Sequence, residues 1–283
     1  MMPAIGGAGQ PAPLVPLTVT TRCWDDPEPL VANIMSALAR RLTELGPSEL
    51  HAGRLVIVAT SPSVERYTIE KRPGDVLVCV NGAHDWLLRR GIKPDACLFL
   101  DSTPELAAVF APQQGISYLV ASQCHPSTFD RLAGHNVVLW HARVPTETLG
   151  GIDIADLVSK HNRAVPVSYM IPGGGTAAIR WFSVGQFSGF RRFVAYGLDS
   201  SFDDGRRQVE SFMPCAGDEI EVEYNGRMFR TSPALAAQAQ DFDALYTRAL
   251  NDCRIDVVGD GLIPWMCESL NRLKYGAPSK ETT

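Results

Sequence analysis

The feature that most constrains this chain is a series of short apolar runs, each bounded by turn-forming residues. RLVIVA (54–59), VLVCV (76–80), ACLFL (96–100), YLVAS (118–122) and NVVLW (136–140) are rich in β-branched side chains. Brief stretches of helical character separate them at 84–90, 103–110 and 126–132. A strand that is apolar on both sides must be buried on both faces, and alternation with helices supplies the cover. Connections this short suit right-handed βαβ units, so the expected fold class is α/β, a mostly parallel sheet with helices on both faces.

The flanking segments extend this pattern. Leu30, Ile34, Leu38 and Leu42 recur every four residues after Asp26 and Pro27, predicting a capped helix that ends near Gly46. The polar stretch 142–171 reads as a helical excursion over the active face. PGGGT (172–176) opens a second helix to Ser188, and RFVAYGLD (192–199) is the strand after it. In EIEVEYNGRMFRT (219–231) two alternating runs flank Asn225-Gly226, a pair suited to the positive φ angles of a tight turn, so a β-hairpin is expected at about 218–231. A helix from Ser232-Pro233 to about Leu250, a strand at 254–258 and a helix at 262–274 complete the domain, which spans 21–275. Residues 1–20, rich in Gly, Pro and Ala, are expected to form a disordered arm, and 276–283 a frayed tail.

Composition narrows the function classes. With 283 residues, 45% of them hydrophobic, a large core can form without staples. The net charge of −5, with no block of Lys or Arg, argues against nucleic acid as a partner. No run approaches the ~20 apolar residues of a membrane span, and the first fifteen residues lack the basic stretch followed by an apolar one that marks a secretory leader, so neither is expected. Seven cysteines, without CxxC or paired spacing, fit a reducing compartment; the expected location is the cytoplasm.

Ligands of parallel sheets bind beyond the carboxyl ends of the strands. The residues there are Thr60 to Ser63, Asn81-Gly82, Asp101 to Thr103, Ser122 to His125 and Asp199 to Ser201. Gly173-Gly174-Gly175-Thr176, at a helix start, offers bare backbone amides for a phosphate or pyrophosphate. Asp101 and Asp199 each end an apolar strand and are candidates for binding Mg²⁺ or acceptor hydroxyls. His125 is a candidate acid/base. The spacing from Gly173 to Ala178, with Asp199 further on, matches a dinucleotide fingerprint only superficially, because the preceding segment is broken by prolines. There is no GxxxxGK P-loop, no HExxH, and no glycine-flanked nucleophile serine.

Read in order, VIVATSPSVERY (56–67), VNGAHDWLLRRGIKPDACLFLDSTPE (80–105), PGGGTAAIRWFSVGQFSGFRRFVAYGLDSSFDDG (172–205), GRMFRTSPAL (226–235) and RIDVVGDGLIPW (254–265) resemble the MptE-like family. That family is named after 6-hydroxymethylpterin diphosphokinase and includes the motility-associated factor (Maf) glycosyltransferases. The resemblance implies a Rossmann-like fold, similar to that of bacterial sialyltransferases, and a nucleotide-dependent transferase. The donor would be a nucleotide-sugar or, alternatively, ATP with Mg²⁺ for pyrophosphoryl transfer to a pterin; the acceptor would be a small molecule or a protein. A non-catalytic nucleotide-binding module is the third reading. Carried over by position, Ser61, Pro62, Ser63, Asn81, Asp101, Gly174, Gly175, Thr176 and Asp199 are the implied site residues, with Gly173 and His125 added from the reading above. The chain departs from the family in having Ala59 and Ser61 where glycines are usual, and Arg206-Arg207-Gln208 where many relatives place a histidine.

Overall fold

The computed structural model describes residues 27–161, 169–203, 205–206, 208–209 and 219–276. The expected arm at 1–20, the cap at Asp26, and the tail beyond Gly276 lie outside these residues, as do Cys23, Asp204 and Cys215.

The short apolar runs are strands. β1 (Thr43–Glu44), β2 (Leu55–Val58), β3 (Val76–Val80), β4 (Ala96–Phe99), β5 (Ser117–Ala121), β6 (Asn136–Ala142), β8 (Arg192–Tyr196) and β11 (Arg254–Val258) form one sheet in the order β1-β6-β5-β4-β3-β2-β8-β11. Every pairing in it is parallel, and the two-residue β7 (Met170–Ile171) adds to β6. All four residues of β2 and of β4 are buried, as two-sided cover requires. The chain runs from β2 outward through β3, β4, β5 and β6, then returns to lay β8 and β11 on the other side of β2. Right-handed crossovers in opposite directions put the helices of the two halves on opposite faces. The reversal leaves a crevice between the carboxyl ends of β2 and β8, where parallel sheets bind ligands.

The helices are α1 (Pro27–Ala39), α2 (Ala83–Arg89), α3 (Pro126–Arg131), α4 (Ile154–His161), α5 (Ala177–Phe187), α6 (Pro233–Arg248) and α7 (Leu262–Tyr275). Two sequence expectations change. α1 ends at Ala39 and not near Gly46, because Arg41 takes a left-handed conformation (φ 51°) and the next residues pair with β6 as β1. The stretch 103–110 forms a short 3-10 helix, Pro104–Ala108, in place of a longer helix. The excursion beginning at residue 142 contains a 3-10 turn, Thr146–Leu149, and α4, and both pack on α1.

The hairpin is β9 (Ile220–Tyr224) with β10 (Arg227–Thr231), antiparallel and separate from the main sheet. Its turn residues Asn225 (φ 49°) and Gly226 (φ 75°) both have the positive φ that a two-residue hairpin demands. Among the described residues no helix is long and apolar enough to cross a membrane. Cys79, Cys97, Cys124, Cys253 and Cys267 are buried free thiols.

Candidate functional site

The carboxyl rim of the sheet is divided into a closed half and an open half. Over β4 and β5 it is closed by α1, whose Asn33 Nδ2 donates to the carbonyls of Ser102 and Gln123, both at 3.2 Å. Ser122, Gln123 and Cys124 are buried, and Gln123 Nε2 donates inward to Ala142 O at 2.8 Å. His125 caps α3, its Nδ1 accepting from the Ser127 amide at 3.2 Å. The Asp101 carboxylate accepts from the Thr103 amide at 3.0 Å, in a local turn. Strand-end polar groups on this half thus serve as turn formers and caps.

The open half lies at the crevice. A cavity of about 260 Å³ is bounded by the ends of β2 (Ala59, Thr60, Ser61), β3 (Val80, Asn81) and β8 (Gly197, Leu198). The first turn of α5 (Thr176, Ala177, Ala178) and α6 (Ala234, Leu235, Gln238), with Gln208, close it. No charged side chain lines it among the described residues, so its polarity comes from hydroxyls, amides and backbone.

Two features of that lining matter chemically. Thr176 occupies the N-cap of α5 in extended conformation but makes no side-chain cap bond, since its Oγ1 instead accepts from Gln238 Nε2 at 2.7 Å. The first amides of α5 have no intrahelical acceptor, and they begin at the cavity wall. Asn81 follows β3 with φ 39°, a strained value for a residue with a Cβ. Its Oδ1 is buried and has no hydrogen-bond partner, and the residue lines the cavity. A buried acceptor without a donor costs about 1–3 kcal/mol, and a ligand N–H or O–H would remove that cost.

The glycines of the 173–175 loop play a different part from the one their sequence suggests. A Cβ at Gly174 would lie 2.6 Å from Asp241 Oδ2, and the Gly175 amide donates to that same carboxylate at 2.9 Å. The loop is therefore bound to α6 by an acidic side chain and not held open for an anion. Beneath it, buried Arg180 donates to the carbonyls of Gly174 (2.7 Å), Ile171 (2.6 Å) and Arg143 (3.0 Å). Burial lowers its pKa to about 10, so the guanidinium stays charged at neutral pH. The amides of this region without an intrahelical acceptor are those of the first turn of α5, which lines the cavity.

On the other side of the crevice, Asp199 ties the β2 loop to β8. Ser63 donates to it twice, from Oγ (2.7 Å) and from the backbone amide (3.2 Å), while Ser61 Oγ accepts from the Asp199 amide at 3.2 Å. Gly197, at φ 67°, permits the close approach of the two strands, because a Cβ there would meet Ala59 O at 2.7 Å. Burial pushes the Asp199 carboxyl up to about 6, against the opposing bonds from Ser63. Asp199 also lines a second cavity of about 250 Å³, shared with Ser201, Asp203, Asp260 and the hairpin residues Arg227 and Arg230. Arg66 bridges Asp203 and Asp260 at its edge.

Of the residues singled out in the sequence, Ser61, Asn81 and Thr176 meet at the first cavity, and Ser63 and Asp199 meet beside it. Pro62 starts the 3-10 turn that carries Ser63. Asp101 and His125 stand apart. β4 lies three strand spacings from β8, roughly 14 Å, so Asp101 and Asp199 cannot share a cation. Asp199 is also already engaged by Ser63, and no group of three or more metal-ligating side chains occurs among the described residues. This arrangement does not fit a Mg²⁺ held between the two carboxylates. Gln238, which bridges Thr176 and Ser200 (Ser200 Oγ to Oε1, 2.7 Å), escaped the sequence reading, because in PALAAQAQ it reads as one polar residue of an ordinary helix.

Comparison with known proteins agrees with this fold. A search of solved structures finds the Maf glycosyltransferase from Magnetospirillum magneticum AMB-1 (TM-score 0.57, 14% identity). The match covers 82% of this chain but 37% of that one, so the present chain spans little more than a third of the neighbour's length and shares its fold there. No curated protein matches by sequence. Residues 30–205, which contain the sheet from β1 to β8 and both sides of the crevice, match the profile of one family. The chain belongs to the 6-hydroxymethylpterin diphosphokinase MptE-like family.

Proposed function

We propose that this protein is a nucleotide-dependent transferase of the glycosyltransferase type, with its donor in the cavity between β2, β3, β8 and α5. The observation that carries the reading is the start of α5. Its free amides open into a concave site at the strand-order reversal, where a donor phosphate gains hydrogen bonds and a favourable helix dipole. The apolar wall of Ala59, Val80, Ala234 and Leu235 suits the flat face of a nucleoside, and Asn81 Oδ1 suits a donor group on it. Asp199, beside this cavity and lining the second one, is suited to an acceptor hydroxyl, because a carboxyl with pKa near 6 can take a proton at neutral pH. Stabilising charge on the leaving phosphate would fall to the α5 amides. Asp101 and His125 take no part in this reading.

The family's description favours a second reading, pyrophosphoryl transfer from ATP to a pterin. The two diverge in their products. The glycosyl reading predicts slow hydrolysis of a nucleotide-sugar without acceptor, whereas the pyrophosphokinase reading predicts AMP release from ATP only with Mg²⁺ and a pterin. Binding of either donor without turnover would leave a nucleotide-binding module.

Thermal-shift screening against nucleotides and nucleotide-sugars, with and without Mg²⁺, tests the site itself. At a hundredfold excess over Kd, the right donor contributes ~2.7 kcal/mol, a rise on the order of 5 °C or more for a chain of this size. Ala178→Leu, which fills the cavity from the first turn of α5, should abolish the rise, and Asn81→Ala should weaken binding about five- to tenfold. A ligand whose effect survives both substitutions binds elsewhere and removes the cavity from the account.

A further inference from the structure

The opposite end of the same strands carries a feature that the crevice does not use. β8 and β11 both begin with arginine, and Arg254 pairs directly with Arg192 in the parallel register. Leu55 pairs with Phe193, so Arg54, one residue earlier, stands level with Arg192. Arg54, Arg192 and Arg254 thus form a row across three adjacent strands at the amino edge of the sheet. Strand spacing makes the row about 10 Å long. Arg72, from the loop before β3, joins them in lining a cleft of about 410 Å³ floored by Phe193.

Like charges directly opposed on neighbouring strands are destabilising. Carboxylates offset this only in part. Asp75 binds Arg54 at 2.6 Å, Glu70 lies 3.6 Å from Arg72, and Asp256 lies 3.7 Å from Arg254. Arg192, at the centre of the row, has neither a carboxylate nor a hydrogen-bond partner among the described residues. The concentration is conspicuous in a chain whose net charge is −5.

We propose that this cleft is a binding site for a polyphosphate-type anion, separate from the crevice and on the order of 15 Å from it along the strands. Guanidinium groups pair with phosphate through two parallel hydrogen bonds, a geometry that lysine cannot match. A single phosphate spans at most two neighbours in such a row. An anion with two or more linked phosphates spans all three, with Arg192 at its middle.

The test is thermal shift and calorimetric titration of the full chain with inorganic phosphate, pyrophosphate and tripolyphosphate at matched ionic strength, since unspecific screening depends on ionic strength alone. Tripolyphosphate should stabilise most and phosphate least. Arg192→Ala should fold normally, with a midpoint at or above wild type in chloride because the opposed charge is gone, and should bind tripolyphosphate at least about tenfold more weakly. Arg192→Lys should recover part of that loss, and Ala178→Leu in the crevice should leave the response intact. Equal effects of all three anions, undiminished binding by Arg192→Ala, or loss of the response in Ala178→Leu would each overturn the proposal.

Discussion

At the scale of single residues, Asp199 is a buried carboxylate beside the candidate site. It is 2% exposed, its side-chain bonds come from one serine, and no cation pairs with it directly among the described residues. Because burial raises its folded pKa to about 6 from an ordinary 3.8, the native state binds the proton more tightly than the unfolded chain. The stabilising contribution is therefore complete below pH ~4 and is lost as pH rises through 6, a change of about 2–3 kcal/mol. Asp199→Asn removes that dependence while keeping an acceptor for Ser63. The stability of Asp199→Asn relative to wild type should rise by that amount between pH 4 and pH 7.5 in denaturant titrations; parallel profiles would show that the carboxyl is not desolvated. Asp199 and Ser63 were each legible in the sequence as strand-end residues, but their pairing was not, since 136 residues separate them. Gly174 illustrates the opposite case. Its sequence context points to phosphate, whereas the missing Cβ makes room for Asp241, which no local pattern announces.

At the scale of elements, β2 and β3 are fastened at their starts by Arg54 and Asp75. The guanidinium donates to Asp75 Oδ2 from Nη2 (2.6 Å) and Nε (3.1 Å), and the amides of Arg54 and Arg72 add two further bonds. Burial alone would push the Asp75 carboxyl up, but these four donations outweigh it and hold the pKa down at about 2. The sign is opposite to that of Asp199. This stability is present above pH ~4 and disappears as pH falls through 2, so Asp75→Asn should cost about 2 kcal/mol at pH 7 in urea titrations, with the gap closing in strong acid. An unchanged midpoint at pH 7 would mean that the clamp is solvated. Elements with strong periodicity were readable from sequence: the buried strands, α5 and the hairpin all fall within a few residues of their expected places. Those decided by tertiary contacts were not. β1 is two residues long and exists because β6 offers an edge, and α1 stops early to let it form.

At the scale of the whole molecule, strand order determines which polar tips can act together. Sequence alone puts every strand-end residue on one rim. The observed order divides that rim into a half covered by α1 and a half left open at the reversal between β2 and β8. Only the open half brings Ser61, Asn81 and the first turn of α5 around one cavity, which is why Asp101 and His125, equally plausible in the sequence, stand outside it. The fold class was therefore legible, and which strand-end residues share a cavity was not, because adjacency in a sheet is set by long-range pairing. The most direct test is amide NMR of the 15N-labelled chain titrated with a nucleoside monophosphate and its sugar conjugate. The account predicts that the largest shifts, growing to saturation with one ligand bound, fall on the amides of Ala177, Ala178 and Ile179, with Ser61 and Asn81 following. Saturable binding that leaves those amides unmoved would contradict it.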